Sequence, residues 1–468
     1  MKASLSLAAS LAVLGNLCLA GLGQSQPHPS NWQASSEVQP PVVSPQAKPD
    51  QSDQREPEID VSAMRAILPK TPTGERMCAD IDRLVSLNLT ADARMLLNAM
   101  RGFCNLPTTD VSLTDIRNVL KDRDIAFEVN GDSFTVFQRG PVDDPEIIRM
   151  RGVSQGPETC CSIQNGVWRQ FEGTDLWVMR LRLKGIRYAT ISQQTSRSLD
   201  ATPSTSFTYR GDLAPAGPDK VETLQGKIER YEVFSPQLNE TRSVVVYIPP
   251  REDQDYRFPV VISEGGDVEN FALISEALVK DGKIRPVILF GVIAGNDGIA
   301  GPPRAVPQHI ARAQDYSPNR PDSTFKQYIS FLVETVRPML IDRFSASEQR
   351  RDWVVTGASQ GGALALNAAL ERPDIFAHSW PMSIAGTNPE FGTFATSVTK
   401  SKFRINAGYY EETFLVNSQL ATAAIQNSGG DVVARWFSDG HNPDQWDRAF
   451  ADNLMAAFPP KEVVEPKK

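Results

Sequence analysis

The 468-residue sequence predicts an α/β domain with a mostly parallel sheet, preceded by a small helical segment and a β-sandwich. Three observations carry this expectation. From Ile228 onward, short apolar strands alternate with helical patterns. Before that the apolar spacing is helical from Ile59 to Leu120 and has period two from Ile125 to about residue 200. Finally, the run RDWVVTGASQGGALALNAAL, Arg351 to Leu370, reads as strand, sharp turn and helix around Gly357-Ala358-Ser359-Gln360-Gly361.

Taken in order, the chain opens with Lys2, an apolar run from Leu5 to Leu22, and small residues at Ala20, Gly21 and Gly23. This is the pattern of a secretory signal peptide over residues 1–23 rather than of a spanning helix, with an uncleaved anchor as the alternative. Residues 24–57 are rich in Pro, Gln, Ser and Asp, cannot bury enough apolar surface to order themselves, and are expected to form a disordered linker. The helical segment, 58–123, carries Met77, Ile81, Leu84 and Val85 on one stretch and Met95, Leu96, Met100 and Phe103 on the next. Thr90 is a plausible N-cap, and Ser112 with Asp115 makes a capping box. In the sandwich, 124–200, Phe127 and Val129 lead to Asn130-Gly131, and Phe134, Val136 and Phe137 follow, a hairpin signal. The α/β domain, 221–460, has strand patterns at Ile228–Phe234, Ser243–Ile248, Pro259–Glu264, Val287–Ile293, Trp353–Thr356, Phe403–Ala407 and Val432–Phe437. A helical pattern spans Phe325–Phe344.

A net charge of −8 without any basic run argues against a nucleic-acid partner. Once the signal segment is removed, Cys78, Cys104, Cys160 and Cys161 remain, an even number that suggests disulfides in an exported chain. We expect Cys78 to pair with Cys104, leaving the adjacent pair bridged to each other or reduced. All four precede the Ser359 region, so no cysteine nucleophile or thiolate metal site belongs to it.

A serine hydroxyl is a poor nucleophile at neutral pH and needs a base, itself oriented by an acid. The chain has four histidines. His28 lies in the linker, His309 in a long loop before the serine, and His378 in an apolar stretch after it; His441 stands just past the last strand, in Asp439-Gly440-His441. The order nucleophile, acid, histidine makes His441 the base. The acid should end the strand between them, which leaves Glu411 or Glu412 in Gly408-Tyr409-Tyr410-Glu411-Glu412. Two N–H donors must face the developing oxyanion. One is that of Gln360, after the nucleophile; the other is expected at Gly266, where Gly265-Gly266 lets the backbone approach a substrate.

Several strings together resemble the enterochelin-esterase and esterase D branch of the α/β hydrolases, over about Ile228 to Phe458. They are Val244 to Pro250, Glu264-Gly265-Gly266, Arg312 to Asn319, Gly357 to Gly362, Gly408-Tyr409-Tyr410-Glu411, and Gly440-His441 with Trp446 beyond. The resemblance implies an α/β-hydrolase domain with Glu411, three residues past a glycine, as the acid and Gly266 as the oxyanion donor. Phe137 to Pro141 and Phe171 to Trp177 look like the β-sandwich preceding the catalytic domain in enterochelin esterases, a family that hydrolyses the ester backbone of ferric catecholate siderophores. Related chains cleave feruloyl or acetyl esters. Three residues depart from the pattern: Glu264 replaces an Asp, Gln360 replaces a bulky residue, and Trp380 to Gly386 replaces a polar-aromatic stretch.

The expectation is therefore an exported, periplasmic or secreted serine esterase acting on a small-molecule ester through Ser359, His441 and Glu411, with Gln360 and Gly266 holding the oxyanion. It requires no metal or other cofactor, and it has no membrane span after signal cleavage. The sequence leaves the oligomeric state open. Arg312, Arg139 and Trp177 are candidates for contacting a large anionic aromatic substrate, although an ion pair of Arg312 with Asp315 supporting their loop is the plainer reading. A ligand-binding protein on an esterase scaffold is the alternative from another class.

Overall fold

The computed structural model describes residues 58–67, 77–140, 149–151, 167–196, 205–251, 253–293, 308–386 and 400–460. The expected signal segment and linker, with His28, and the Cys160-Cys161 pair lie outside the described residues.

The N-terminal part begins with helices Val61–Ile67, Cys78–Leu84 and Ala91–Met100. Thr90 caps the third by accepting from the Ala93 N–H at 3.3 Å, and Cys78 and Cys104 are disulfide-bonded. Ser112 and Asp115 form the expected reciprocal cap on helix Leu113–Leu120. Eight strands follow the helical stripe or interrupt it: β1 Phe103–Asn105, β2 Ile125–Asn130, β3 Ser133–Arg139, β4 Arg149–Arg151, β5 Arg169–Gln170, β6 Leu176–Leu183, β7 Thr190–Ser196 and β8 Thr205–Arg210. They make an antiparallel sheet ordered β1-β6-β3-β2, with β5 also on β6, and a second ordered β4-β7-β8. The two sheets meet where Tyr209 packs on Phe127 and Phe134, with ring centroids 5.6 and 5.9 Å apart. Both ends of the expected sandwich need correction. Phe103, assigned from its spacing to a helix, lies on β1, and β8 extends the β-structure past residue 200. A three-residue edge strand is too short to show a period, and β6 supplies its register from residues 76 to 80 positions away.

The α/β domain contains β9 Lys227–Ser235, β10 Glu240–Ile248, β11 Val260–Glu264, β12 Ile288–Val292, β13 Trp353–Ala358, β14 His378–Met382, β15 Lys402–Gly408 and β16 Asp431–Phe437. Their order is β16-β15-β14-β13-β11-β12-β10-β9. The six strands from β16 to β12 run parallel, and β10 and β9 are antiparallel at one edge. The central strands β11, β12 and β13 are buried on both faces and read as continuous apolar runs. Val244, Val246, Val260, Ile262 and Val355 face one core, beneath helices Phe325–Ser330 and Gln360–Glu371. Val245, Val261 and Val354 face the other, beneath helices Val268–Lys280 and Pro443–Ala457. Fully burying side chains of this kind stabilises the fold by about 1.5–3 kcal/mol each before entropy is counted. Because the central strands are parallel, their C-terminal ends meet along one edge of the sheet.

β14 is absent from the sequence expectation. Five residues, HSWPM, with a proline among them, give no period to detect. His378 opens this strand, and burial, reinforced by Lys402, Arg404 and Arg350, lowers its pKa from 6.5 to about 4. Between pH 6.5 and 4 the unfolded chain therefore holds a proton here that the folded chain lacks, so stability present above pH 6.5 is lost as the pH falls through that window. We expect the thermal midpoint of the wild type to fall more steeply from pH 7 to 4.5 than that of His378→Gln, a difference on the order of 3 kcal/mol across the full window. Parallel curves would show that burial of this imidazole does not govern the acid side.

Candidate active site

Ser359 stands at the tip of β13, between that buried strand and helix Gln360–Glu371. Its backbone has φ 59° and ψ −120°, an unfavourable conformation for a residue with a Cβ. Neighbours hold it there: the Ser359 N–H donates to the Met382 carbonyl, and the Ala385 N–H donates to the Ser359 carbonyl, both at 3.0 Å. The flanking glycines have the steric reason expected of them. A Cβ on Gly357 would lie 2.7 Å from the Gly361 backbone, and one on Gly361 would lie 2.1 Å from Glu264 Oε1.

Glu264 ends β11, next to β13 in the sheet, and Gly265–Asp267 turns from it into helix Val268–Lys280. The Gly266 amide and the Gln360 amide thus belong to neighbouring strand tips. Arg312 joins the two loops. Its Nε and Nη2 donate to the two Glu264 carboxylate oxygens at 2.8 and 2.6 Å, and its Nη1 donates to Gln360 Oε1 at 2.8 Å. Burial, then the neighbouring Glu264 charge, pushes the Asp267 carboxyl up to about 7.

Glu411 and His441 come from the adjacent tips of β15 and β16. The two loops are tied by the Tyr409 N–H to the Phe437 carbonyl at 2.8 Å and the Tyr410 N–H to the Asp439 carbonyl at 3.0 Å. His441 Nδ1 lies 3.4 Å from Glu411 Oε1, with both residues buried. Phe414 stacks on the imidazole with centroids 4.1 Å apart, and the Trp446 ring meets it edge-on at 4.9 Å. Asp439 shapes the loop: its carboxylate accepts from Arg448 Nη2 at 2.7 Å and from Asn442 Nδ2 at 2.6 Å. Burial nonetheless pushes its carboxyl up to about 6, against the pull of those partners. Asn442 also caps helix Pro443–Ala457 by accepting from the Gln445 N–H at 3.1 Å, with Pro443 preset for the first turn.

Two further side chains, Ser383 and Gln445, contact the Glu411 carboxylate, a third, Trp446, bonds to Ser383, and none was legible in the sequence as part of this network. Ser383 Oγ donates to Glu411 Oε1 at 2.8 Å and accepts from Trp446 Nε1 at 2.8 Å. Gln445 Nε2 donates to the same Glu411 oxygen and to the Gly440 carbonyl. Ser383 sits just after β14 with φ 50°. Its part in the site became readable only once that strand was placed; Trp446 had a signal, its fixed position after Gly440-His441.

The sheet edge thus gathers Ser359, Gln360, Gly266, Glu411 and His441, with Arg312 behind them. The expected Arg312–Asp315 pair does not form. Asp315 accepts instead from the buried Arg242 at 2.8 Å, while the Arg312 fork is taken up by Glu264 and Gln360. His309 lies on helix Gln308–Tyr316 rather than in a loop. Trp177 is 2% exposed and leaves no ring face open to a ligand. Arg139 is half-exposed and donates to Asp175 at 3.5 Å.

A Gly-x-Ser-x-Gly turn on a central strand of a mostly parallel, helix-covered sheet defines the class: a carboxylic ester hydrolase of the α/β-hydrolase type. Residues 235–454 match the family model described as "Putative esterase". In fold the chain is similar to the enterobactin esterase FES from Shigella flexneri, solved in the presence of enterobactin. The TM-score is 0.50 at 14% identity, over 75% of this chain and 98% of that one. Ferric enterobactin esterase from Salmonella typhimurium gives a TM-score of 0.51 at 15% identity, over 71% and 96%. The uncharacterized protein YjcH of Bacillus subtilis is 26% identical over 155 residues, 32% of this chain, and the match spans 59% of that relative.

Proposed function

We propose that the chain is an exported serine esterase whose nucleophile, base and acid are Ser359, His441 and Glu411. The observation that carries this reading is the 3.4 Å approach of His441 Nδ1 to Glu411 Oε1 at the same edge of the sheet as Ser359. A carboxylate at Nδ1 fixes the tautomer in which Nε2 accepts a proton. Ser359 Oγ then attacks the ester carbonyl carbon while Nε2 takes its proton, and the N–H groups of Gln360 and Gly266 hold the resulting oxyanion. Collapse breaks the carbon–oxygen ester bond, and the imidazolium returns the proton to the leaving alcohol. Water attacks the acyl-serine with the same base, releasing the acid and the free hydroxyl. The Arg312 bridge from Glu264 to Gln360 supports the oxyanion loops, a structural use of the kind expected of it, with Glu264 in place of Asp315 as the partner.

For the substrate we favour the ester backbone of a ferric catecholate siderophore, since the two fold neighbours above are named for enterobactin. The test is hydrolysis of ferric and iron-free catecholate tri-esters beside feruloyl sugars and p-nitrophenyl acetate. Preferred turnover of the catecholate esters is expected; turnover of feruloyl sugars and p-nitrophenyl acetate alone would remove the siderophore and leave the esterase. Export follows from the N-terminal pattern, and the Cys78–Cys104 bond suits an oxidising compartment. A secreted protein that retains Met1 would contradict cleavage near residues 20–23.

A further inference from the structure

The loops carrying Glu411 and His441 lean outward on the N-terminal β-structure, and one side chain crosses that boundary. Tyr410, the residue before Glu411, is buried in the apolar core formed by Phe103, Phe134, Met179, Leu181 and Ile186. Its hydroxyl donates to the Lys184 carbonyl at 3.0 Å. The Lys184 ammonium in turn lies 3.9 Å from the ring centroid of Tyr409. Two glycines admit this approach. A Cβ on Gly102 would lie 1.8 Å from the Tyr409 carbonyl oxygen, and one on Gly185 would lie 2.4 Å from Ser438 Oγ, on the loop that leads to His441. Ala99, from the helix before Gly102, packs with Ala407 and Leu415 on either side of the acid.

We infer that Tyr410 is a positioning residue: anchored in the N-terminal core, it fixes the acid loop so that Glu411 faces His441, making the N-terminal part a structural component of the catalytic machinery. The inference rests on the triad reading above. The physical case is one of leverage. Glu411 is the next residue along the chain from a ring held on several sides and by one hydrogen bond, and the Tyr410 N–H is bonded to the Asp439 carbonyl, two residues before His441. Releasing the ring frees both loops at their common point. A side-chain displacement of about 1 Å in such a site costs on the order of 10²-fold in rate.

The test uses the full chain and p-nitrophenyl acetate, a substrate too small to need the N-terminal part for binding. Wild type, Tyr410→Phe, Tyr410→Leu, Tyr410→Ala and Glu411→Gln are compared for kcat, KM and the pH dependence of kcat/KM. Tyr410→Ala is expected to lower kcat by about 10²-fold with KM within about twofold. Its pH profile should move toward that of Glu411→Gln, the variant that lacks the carboxylate. Tyr410→Phe, which keeps the ring, should retain most of the rate. Tyr410→Leu keeps an apolar side chain in the core and is read in the same way if the alanine variant does not fold. A folded Tyr410→Ala or Tyr410→Leu with wild-type kcat and an unmoved pH profile would overturn the inference while Glu411→Gln is inactive. Wild-type turnover by Glu411→Gln would overturn the triad reading itself, and the inference with it.

Discussion

Ser359→Ala is expected to lower kcat for p-nitrophenyl acetate by roughly 10⁵- to 10⁶-fold, the loss seen when a triad serine is removed and only the oxyanion donors and binding remain. The thermal midpoint should barely move. Alanine keeps the Cβ, so the strained backbone at φ 59° is neither relieved nor worsened, and the Ser359 side chain caps no helix. The two measurements together separate lost chemistry from lost fold. Retention of more than a few per cent of the rate would reassign the nucleophile.

Glu411→Gln has the second-largest expected effect, roughly 10⁴-fold in kcat. The substitution keeps the shape of the side chain but removes the charge that fixes the imidazole tautomer and stabilises its protonated form. It also replaces an acceptor with an amide that can present N–H groups to Ser383, Gln445 and His441, three groups that now approach Glu411 Oε1. Glu412→Gln, at the first residue of helix Glu412–Asn427, is expected to stay within about threefold of wild type, since a single carboxylate orients the imidazole. Comparing kcat for the two variants checks the assignment, and reversed effects would transfer the role to Glu412.

How far the sequence could be read depended on whether each signal was local. The turn around Ser359 was legible because its glycines, strand and helix are contiguous and the steric demand acts within five residues. Thr90, Ser112 with Asp115, and the Asn130-Gly131 hairpin were legible for the same reason: each motif closes a hydrogen bond within three residues. His441 followed from chain order. The environment of Glu411 was not legible, because Ser383 and Gln445 reach it from 28 and 34 positions away, the first from just past a strand, β14, that carries no period of its own. Arg312 shows the opposite failure. Its nearest acidic neighbour in sequence, Asp315, is three residues along the same helix, yet the partner that satisfies its planar fork is Glu264, brought by the sheet.

Trp177 and Arg139 teach a related lesson about placing substrate contacts from strings alone. Both lie at the end of the β3–β6 pair remote from Lys184, where the N-terminal part meets the acid loop. Seven residues of strand put about 20 Å between the two ends. Among the residues of the N-terminal part that touch the acid and histidine loops are Gly102, Lys184 and Gly185, none of which has a composition or spacing that marks it.

The most direct test of Ser359 as the nucleophile of an esterase is covalent capture. The full chain is incubated with a fluorophosphonate ester, residual turnover of p-nitrophenyl acetate is followed, and the modified peptide is mapped by mass spectrometry. A single adduct on Ser359 is expected, with turnover falling in proportion to its extent and labelling slowed in His441→Ala. An adduct on another residue, or a fully labelled Ser359 with turnover intact, would contradict it.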